Sequence, residues 1–190
     1  MQADQREIIL ESLRKDTSPI DWMVWTDGSG HVDGFGGYGA VAMRVRLLGN
    51  TCIPIQRASA AICGTTVNRA EFTGLLEALQ VIHTIEMGGR GQGASMYPVI
   101  PVRVRWFSDR ENLVLGVATN PETGEAWYGR NVDQDLWARY DWYAKSIIVR
   151  PVHIERNSMA MQAKCDFIAS HGRRAYIRWT KHQTKKKKWI

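Results

Sequence analysis

The chain has 190 residues, 44% of them hydrophobic and 23% charged, which suits one soluble globular domain with a proper core and is short for two. Its net charge of +6 is unevenly placed: the last 20 residues carry eight bases and no acid, so the preceding 170 are slightly acidic. Such an end is the electrostatic footprint of a polyanion-binding protein or a merely solubilising tail, and three cysteines (Cys52, Cys63, Cys165) without CxxC spacing argue against a disulfide framework and a cysteine zinc site.

No apolar run approaches the roughly 20 residues of a membrane helix, so no membrane partner is expected. The opening MQADQREIILESLRKD lacks a secretory cleavage site. A reducing, cytoplasmic setting is therefore expected.

In chain order, residues 4–15 set Ile8, Ile9 and Leu13 on one side of a short amphipathic helix, which Ser18-Pro19 ends. Residues 1–20 read as an extension ahead of a domain at 21–171. A strand is predicted over about 21–28, where Trp22 to Trp25 suit a pleated, half-buried surface and Asp27 is delivered at the end. GFGGYGAVAMRVRLL reads as a glycine turn and a second strand, and CIPIQRAS as a third. Asn68 opens a long helix in which Phe72, Leu75, Leu76, Leu79 and Ile82 share one face, until Gly88 and Gly89 stop it. The loop GGRGQGASMYPVIP leads to the strand VRVRWFSD and a short helix over 111–117. A polar loop, ATNPETGEAWYGRN, precedes the helix QDLWARYDWYAKS, the last strand IIVRPVHI and the final helix MAMQAKCDFIAS. Residues 172–190 form the basic tail. This order predicts one mixed sheet with helices packed on its faces.

Four acids stand out. Asp27 and Asp109 end strands, Glu71 lies in the first turn of the long helix facing inward, and Asp166 sits between Cys165 and Phe167. Sites in open α/β sheets are built at the carboxyl ends of strands. Two like charges about 4 Å apart repel by roughly 4 kcal/mol at an effective dielectric near 20, so convergence of all four would require protons or cations. Oxygen ligands alone favour a hard ion, Mg²⁺ or Mn²⁺. Each acid also has an ordinary reading, as a turn aspartate or as a glutamate favoured by a helix dipole. Spacing alone leaves both open.

The motifs VWTDGSG…GGYGAVA, TTVNRAEFTGLLEAL, VRWFSD and AKCDFIA, in that order over residues 21–171, resemble the type 1 ribonuclease H family. The resemblance implies an α/β, ribonuclease H-like fold, with a five-stranded mixed β-sheet flanked by α-helices. It implies a monomeric, metal-dependent endoribonuclease that cuts the RNA strand of an RNA–DNA hybrid with two Mg²⁺ ions, or Mn²⁺ in their place. By position, Asp27 would bridge both ions, Glu71 and Asp109 would hold one, and Asp166 the other. Gly28 and Ser29 would let the backbone approach a ribose. Thr66 and Asn68 would contact the hybrid, although Asn68 also reads as a helix N-cap.

The chain departs from the family pattern at several positions. Arg110 stands where a serine is common, Glu111 where an amide is common, and Val67 replaces a hydrogen-bonding residue. The position of a mobile family histidine falls on Arg156, as in members that use arginine, while His153 nearby reads as an ordinary strand-end residue. The loop 118–131 lacks the lysine-rich protrusion of some members, and the basic tail, including Lys185 and Lys186, is read as its substitute. Trp127 in that loop is either a nucleic-acid contact or a chance exposed aromatic. Alternative readings are a structure-specific DNA endonuclease of the Holliday-junction resolvase kind and a non-catalytic nucleic-acid-binding protein, since fold does not fix substrate.

Overall fold

A computed structural model describes residues 3–30, 35–45, 54–58, 62–63, 66–88, 101–156 and 158–187. The elements are α1 (Ala3–Lys15), β1 (Trp22–Gly30), β2 (Phe35–Arg44), β3 (Pro54–Ala58), β4 (Ile62–Cys63), α2 (Val67–Gly88), β5 (Val102–Ser108), α3 (Glu111–Val117), α4 (Gln134–Ala144), β6 (Ile147–His153) and α5 (Ala160–Lys187). The loop at 89–100 lies outside the described residues.

The sheet runs β3-β2-β1-β5-β6, with β4 paired to β2 off that path. It is mixed: β1 and β2, and β2 and β3, are antiparallel, whereas β1 and β5, and β5 and β6, are parallel. The expected five strands are thus one short, because β4 has two residues, too few to show as a run of alternating apolar positions.

Both faces are covered. On one, Trp22, Val24, Val104 and Trp106 pack under Phe72, Leu75, Leu76 and Leu79 of α2, which in turn hold Trp137 and Tyr140 of α4. The Trp106 indole N–H, fully buried, donates to Thr26 Oγ1 at 2.8 Å, as a buried tryptophan needs. On the other face, Trp25, Val41, Phe107 and Val152 meet Cys165 and Ile168 of α5. That helix comes down directly on β2: a Cβ at Gly39 would stand 2.1 Å from the Cys165 carbonyl oxygen, so only glycine permits the approach. A third, smaller cluster joins Ile9 and Leu10 of α1 to Val114 and Leu115 of α3.

Three boundaries differ from the sequence reading. β1 continues to Gly30 because its antiparallel ladder with the glycine-rich start of β2 runs on to Gly30↔Gly36. The cap of α2 is Thr66, whose Oγ1 accepts the Arg69 N–H at 3.1 Å, so Asn68 lies inside the helix. And α5 has 28 residues, continuing through the basic segment. The lone Gly172 costs a helix about 1 kcal/mol and does not end one.

Candidate active site

The parallel pairing of β1 with β5 ends at Trp25↔Phe107. Beyond it, the chain delivers two carboxylates at one end of the sheet. Asp27 is still held by β2, opposite Gly39; Asp109 is the residue after β5. Glu71 reaches the same point from the first turns of α2. One carboxylate oxygen from each of Asp27, Glu71 and Asp109 lies within 4.8 Å of the others.

These acids are taken out of water. Asp27 is 1% exposed and Glu71 0%. Ser108 donates its hydroxyl to Glu71 Oε1, and the Arg110 Nε–H donates to Glu71 Oε2 at 3.3 Å. Both oxygens of Asp27 and one of Asp109 are buried with no hydrogen-bond partner among the described residues, which is costly for any polar atom and more so for a charge. Burial, with the charges of Asp109 and Asp166 added, raises the Asp27 carboxyl to about 7. Burial likewise raises Glu71 well above its usual range; the Ser108 hydrogen bond opposes this, and the charges of Asp109 and Asp27 add to it.

Three converging carboxylates with unpartnered buried oxygens fit a hard divalent cation, and among the described residues the cluster holds no nitrogen or sulfur donor, which agrees with that. The neighbouring Cys165 thiol is no ligand: it donates to the Trp25 carbonyl oxygen at 3.3 Å, and burial pushes it up to about 12.

Asp166 stands apart from the three. It lies on α5, its side chain 36% exposed, with Arg156 Nη2 3.8 Å from its Oδ1. Its charge still reaches Asp27, so it borders the cluster without joining it.

No protein-family model matches the chain, and comparison with curated proteins likewise finds no match. Solved structures do match. LC9-RNase H1, described as a type 1 RNase H with the type 2 active-site motif, superposes with a TM-score of 0.60 at 18% identity, over 85% of this chain and 76% of its own. The N-terminal RNase H domain of rv2228c from Mycobacterium tuberculosis gives 0.55 at 18% identity, over 85% of this chain and 99% of its own. LC11-RNase H1, solved in complex with an RNA/DNA hybrid, gives 0.53 at 20% identity, over 82% and 99%.

The chain has the ribonuclease H fold.

Within this ribonuclease H fold the other sequence-derived residues fall in different places. Gly28 lies against α2, and Ser29 is buried with its Oγ 3.5 Å from Ser170 Oγ on α5. Asn68 is exposed and lines a cleft of about 370 Å³ with Asp109, Arg110, Asn112 and Arg6. Thr66 is exposed at the start of α2. Trp127 does not stand free: it packs on the Ile9, Leu10, Val114 and Leu115 cluster, because the N-terminal helix supplies an apolar surface there. His153 lines a groove against α1, with Arg6, Leu10 and Arg14. Lys185 and Lys186 occupy helical positions on α5, and their side chains lie outside the described ones.

Two residues of the site were missed by sequence reasoning. Ser108 carries no motif beyond its place before Asp109, and a serine at a strand end is common. Arg110 is visible as a departure from the family pattern, yet nothing in the sequence shows that it turns back onto Glu71.

Proposed function

We propose that this ribonuclease H fold is a metal-dependent nuclease that cuts the RNA strand of RNA–DNA hybrids. The observation that carries the reading is the buried Asp27 carboxylate, with no side-chain hydrogen-bond donor among the described residues and joined by Glu71 and Asp109 within 4.8 Å. A fold does not maintain such a charge cluster for stability. Asp27, Glu71 and Asp109 would hold one divalent ion, with Asp166 at the border completing the set for a second. When bound, such ions supply an activated water and stabilise the leaving oxygen of a phosphodiester.

The protein's own groups prepare the place. The Ser108 hydroxyl fixes the Glu71 carboxylate. Asn68 and Asn112 line the cleft beside Asp109, where amides can donate to a ribose or a phosphate. Arg156 stands exposed beside Asp166 and would meet the strand as it enters or leaves. On α5, Arg174, Arg178 and Lys181 are exposed at i, i+4 and i+7, one stripe of a helix, and Lys185 continues the spacing. That stripe is our candidate for gripping the duplex backbone in place of a basic protrusion. The hybrid bound by LC11-RNase H1 supports this substrate class.

The test is cleavage in Mg²⁺ of an end-labelled panel: RNA–DNA hybrid, double-stranded RNA, double-stranded DNA and a four-way junction, with wild type and Asp109→Asn side by side. Cutting confined to the RNA strand of the hybrid and lost in the variant is the expected result. Cutting of the junction or of duplex DNA would reassign the substrate. Tight hybrid binding with no cutting would make this a non-catalytic binder.

A further inference from the structure

Arg110 is the only cation in hydrogen-bond contact with the three-acid cluster among the described residues. Its Nε lies 3.3 Å from Glu71 Oε2 and 3.6 Å from Asp109 Oδ1, so one guanidinium addresses two of the three carboxylates that would hold a metal. It is also held at its base: the Arg110 backbone N–H donates to Ser108 Oγ at 3.0 Å, the same hydroxyl that bonds Glu71. A guanidinium cannot give up its charge near neutral pH, so the positive charge beside the cluster is permanent.

We propose that Arg110 is a built-in cation of the cluster, which hydrogen-bonds Glu71 and stands as a counter-charge beside Asp109 when no metal is bound, and must withdraw when a divalent ion takes those oxygens. An ion ligated by Glu71 and Asp109 would lie against the guanidinium, and two cations that close repel strongly in a partly dehydrated site. Withdrawal has somewhere to go. The Arg110 side chain is 33% exposed and borders the cleft of about 370 Å³ shared with Arg6, Asn68 and Asn112. The exchange costs metal affinity, and in return the metal-free protein avoids a fully uncompensated acid cluster. This inference rests on the metal-centre reading above.

The two are separable by binding measurements without substrate. Mg²⁺ affinity is measured by calorimetry, and the gain in Tm on adding Mg²⁺ by thermal melts, for wild type, Arg110→Ala and Arg110→Lys. The exchange predicts that Arg110→Ala binds Mg²⁺ roughly tenfold more tightly, equivalent to about 1.4 kcal/mol, melts lower in EDTA, and gains more in Tm from the ion than wild type does. Arg110→Lys, which keeps the charge, stays near wild type. A merely structural Arg110 would lower both melting curves together and leave the affinity unchanged or weaker; that result overturns the exchange alone. No Mg²⁺ binding by wild type would overturn the metal-centre reading and the exchange with it.

Discussion

Gly28 lies directly beneath Glu71. A Cβ at Gly28 would stand 2.4 Å from the Val67 carbonyl oxygen, 2.7 Å from the Glu71 backbone nitrogen and 2.9 Å from the Glu71 Cβ. These atoms belong to a packed helix and cannot step aside singly. The space that the glycine leaves therefore sets the height of α2 over β1, and with it the distance from Glu71 to Asp27.

Gly28→Ala follows from this. The helix must lift, at a cost of about 1–3 kcal/mol for an overpacked site. A displacement near 1 Å of a metal-holding group is worth on the order of 100-fold in rate. We expect a folded protein with a lowered Tm and at least that loss of hybrid cleavage, read by melting and single-turnover kinetics. Unchanged cleavage would show that Glu71 is not positionally demanding.

Asp27 predicts a pH dependence. Its folded carboxyl titrates at about 7 against an ordinary 3.8, so the folded state holds the proton more tightly than the unfolded one. Its contribution is fully present below about 3.8 and is lost as pH rises through about 7, up to about 4 kcal/mol in all. In EDTA, wild type should therefore lose stability over that window relative to Asp27→Asn. Denaturant melts at pH 4.5 and 8 measure the difference. With Mg²⁺ the order reverses at pH 8, because the ion binds the ionised form.

Ser108→Ala removes the hydroxyl that bonds Glu71 Oε1. Leaving that buried oxygen without its donor costs about 1–3 kcal/mol, and the carboxylate is freed to rotate. A lower Tm in EDTA with weakened Mg²⁺ binding is expected. Ser108→Thr, which keeps the hydroxyl, should recover most of the affinity.

The stripe on α5 makes a prediction about salt. Every phosphate that the protein ceases to neutralise reduces the slope of log K against log salt by about 0.9 on a B-form duplex. Replacing Arg174, Arg178 and Lys181 by glutamine should weaken hybrid binding at low salt and flatten its salt dependence, leaving Mg²⁺ binding intact. A slope equal to that of wild type would remove this helix from the interface.

Much of the sheet and of the three-acid cluster was legible because the signals are local. The apolar run before Asp27 and the helical face from Phe72 to Ile82 each fix an element, and strand ends and a helix start then place the acids at one edge. What was hidden depended on distant partners. Thr66 takes the cap that Asn68 also suits, a choice made by where the helix docks. Trp127 looks exposed in its polar loop until α1, more than a hundred residues earlier, covers it. The length of α5 was obscured because a run of bases after Gly172 reads as a solvated tail. The contact of Arg110 with Glu71 joins residues 39 apart, which no periodicity records.

That length of α5 has a further consequence. One uninterrupted helix carries both Asp166 and the basic stripe, so the two are locked in angular phase. Inserting one residue between Trp179 and Thr180 would turn everything beyond it by about 100° and advance it by about 1.5 Å. Seven inserted residues would come back almost into line, about 10 Å farther out. If the stripe follows a duplex that Asp166 also faces, the distal lysines should regain their contribution with two turns and lose it with one residue, so the helix acts as a ruler with an angular scale.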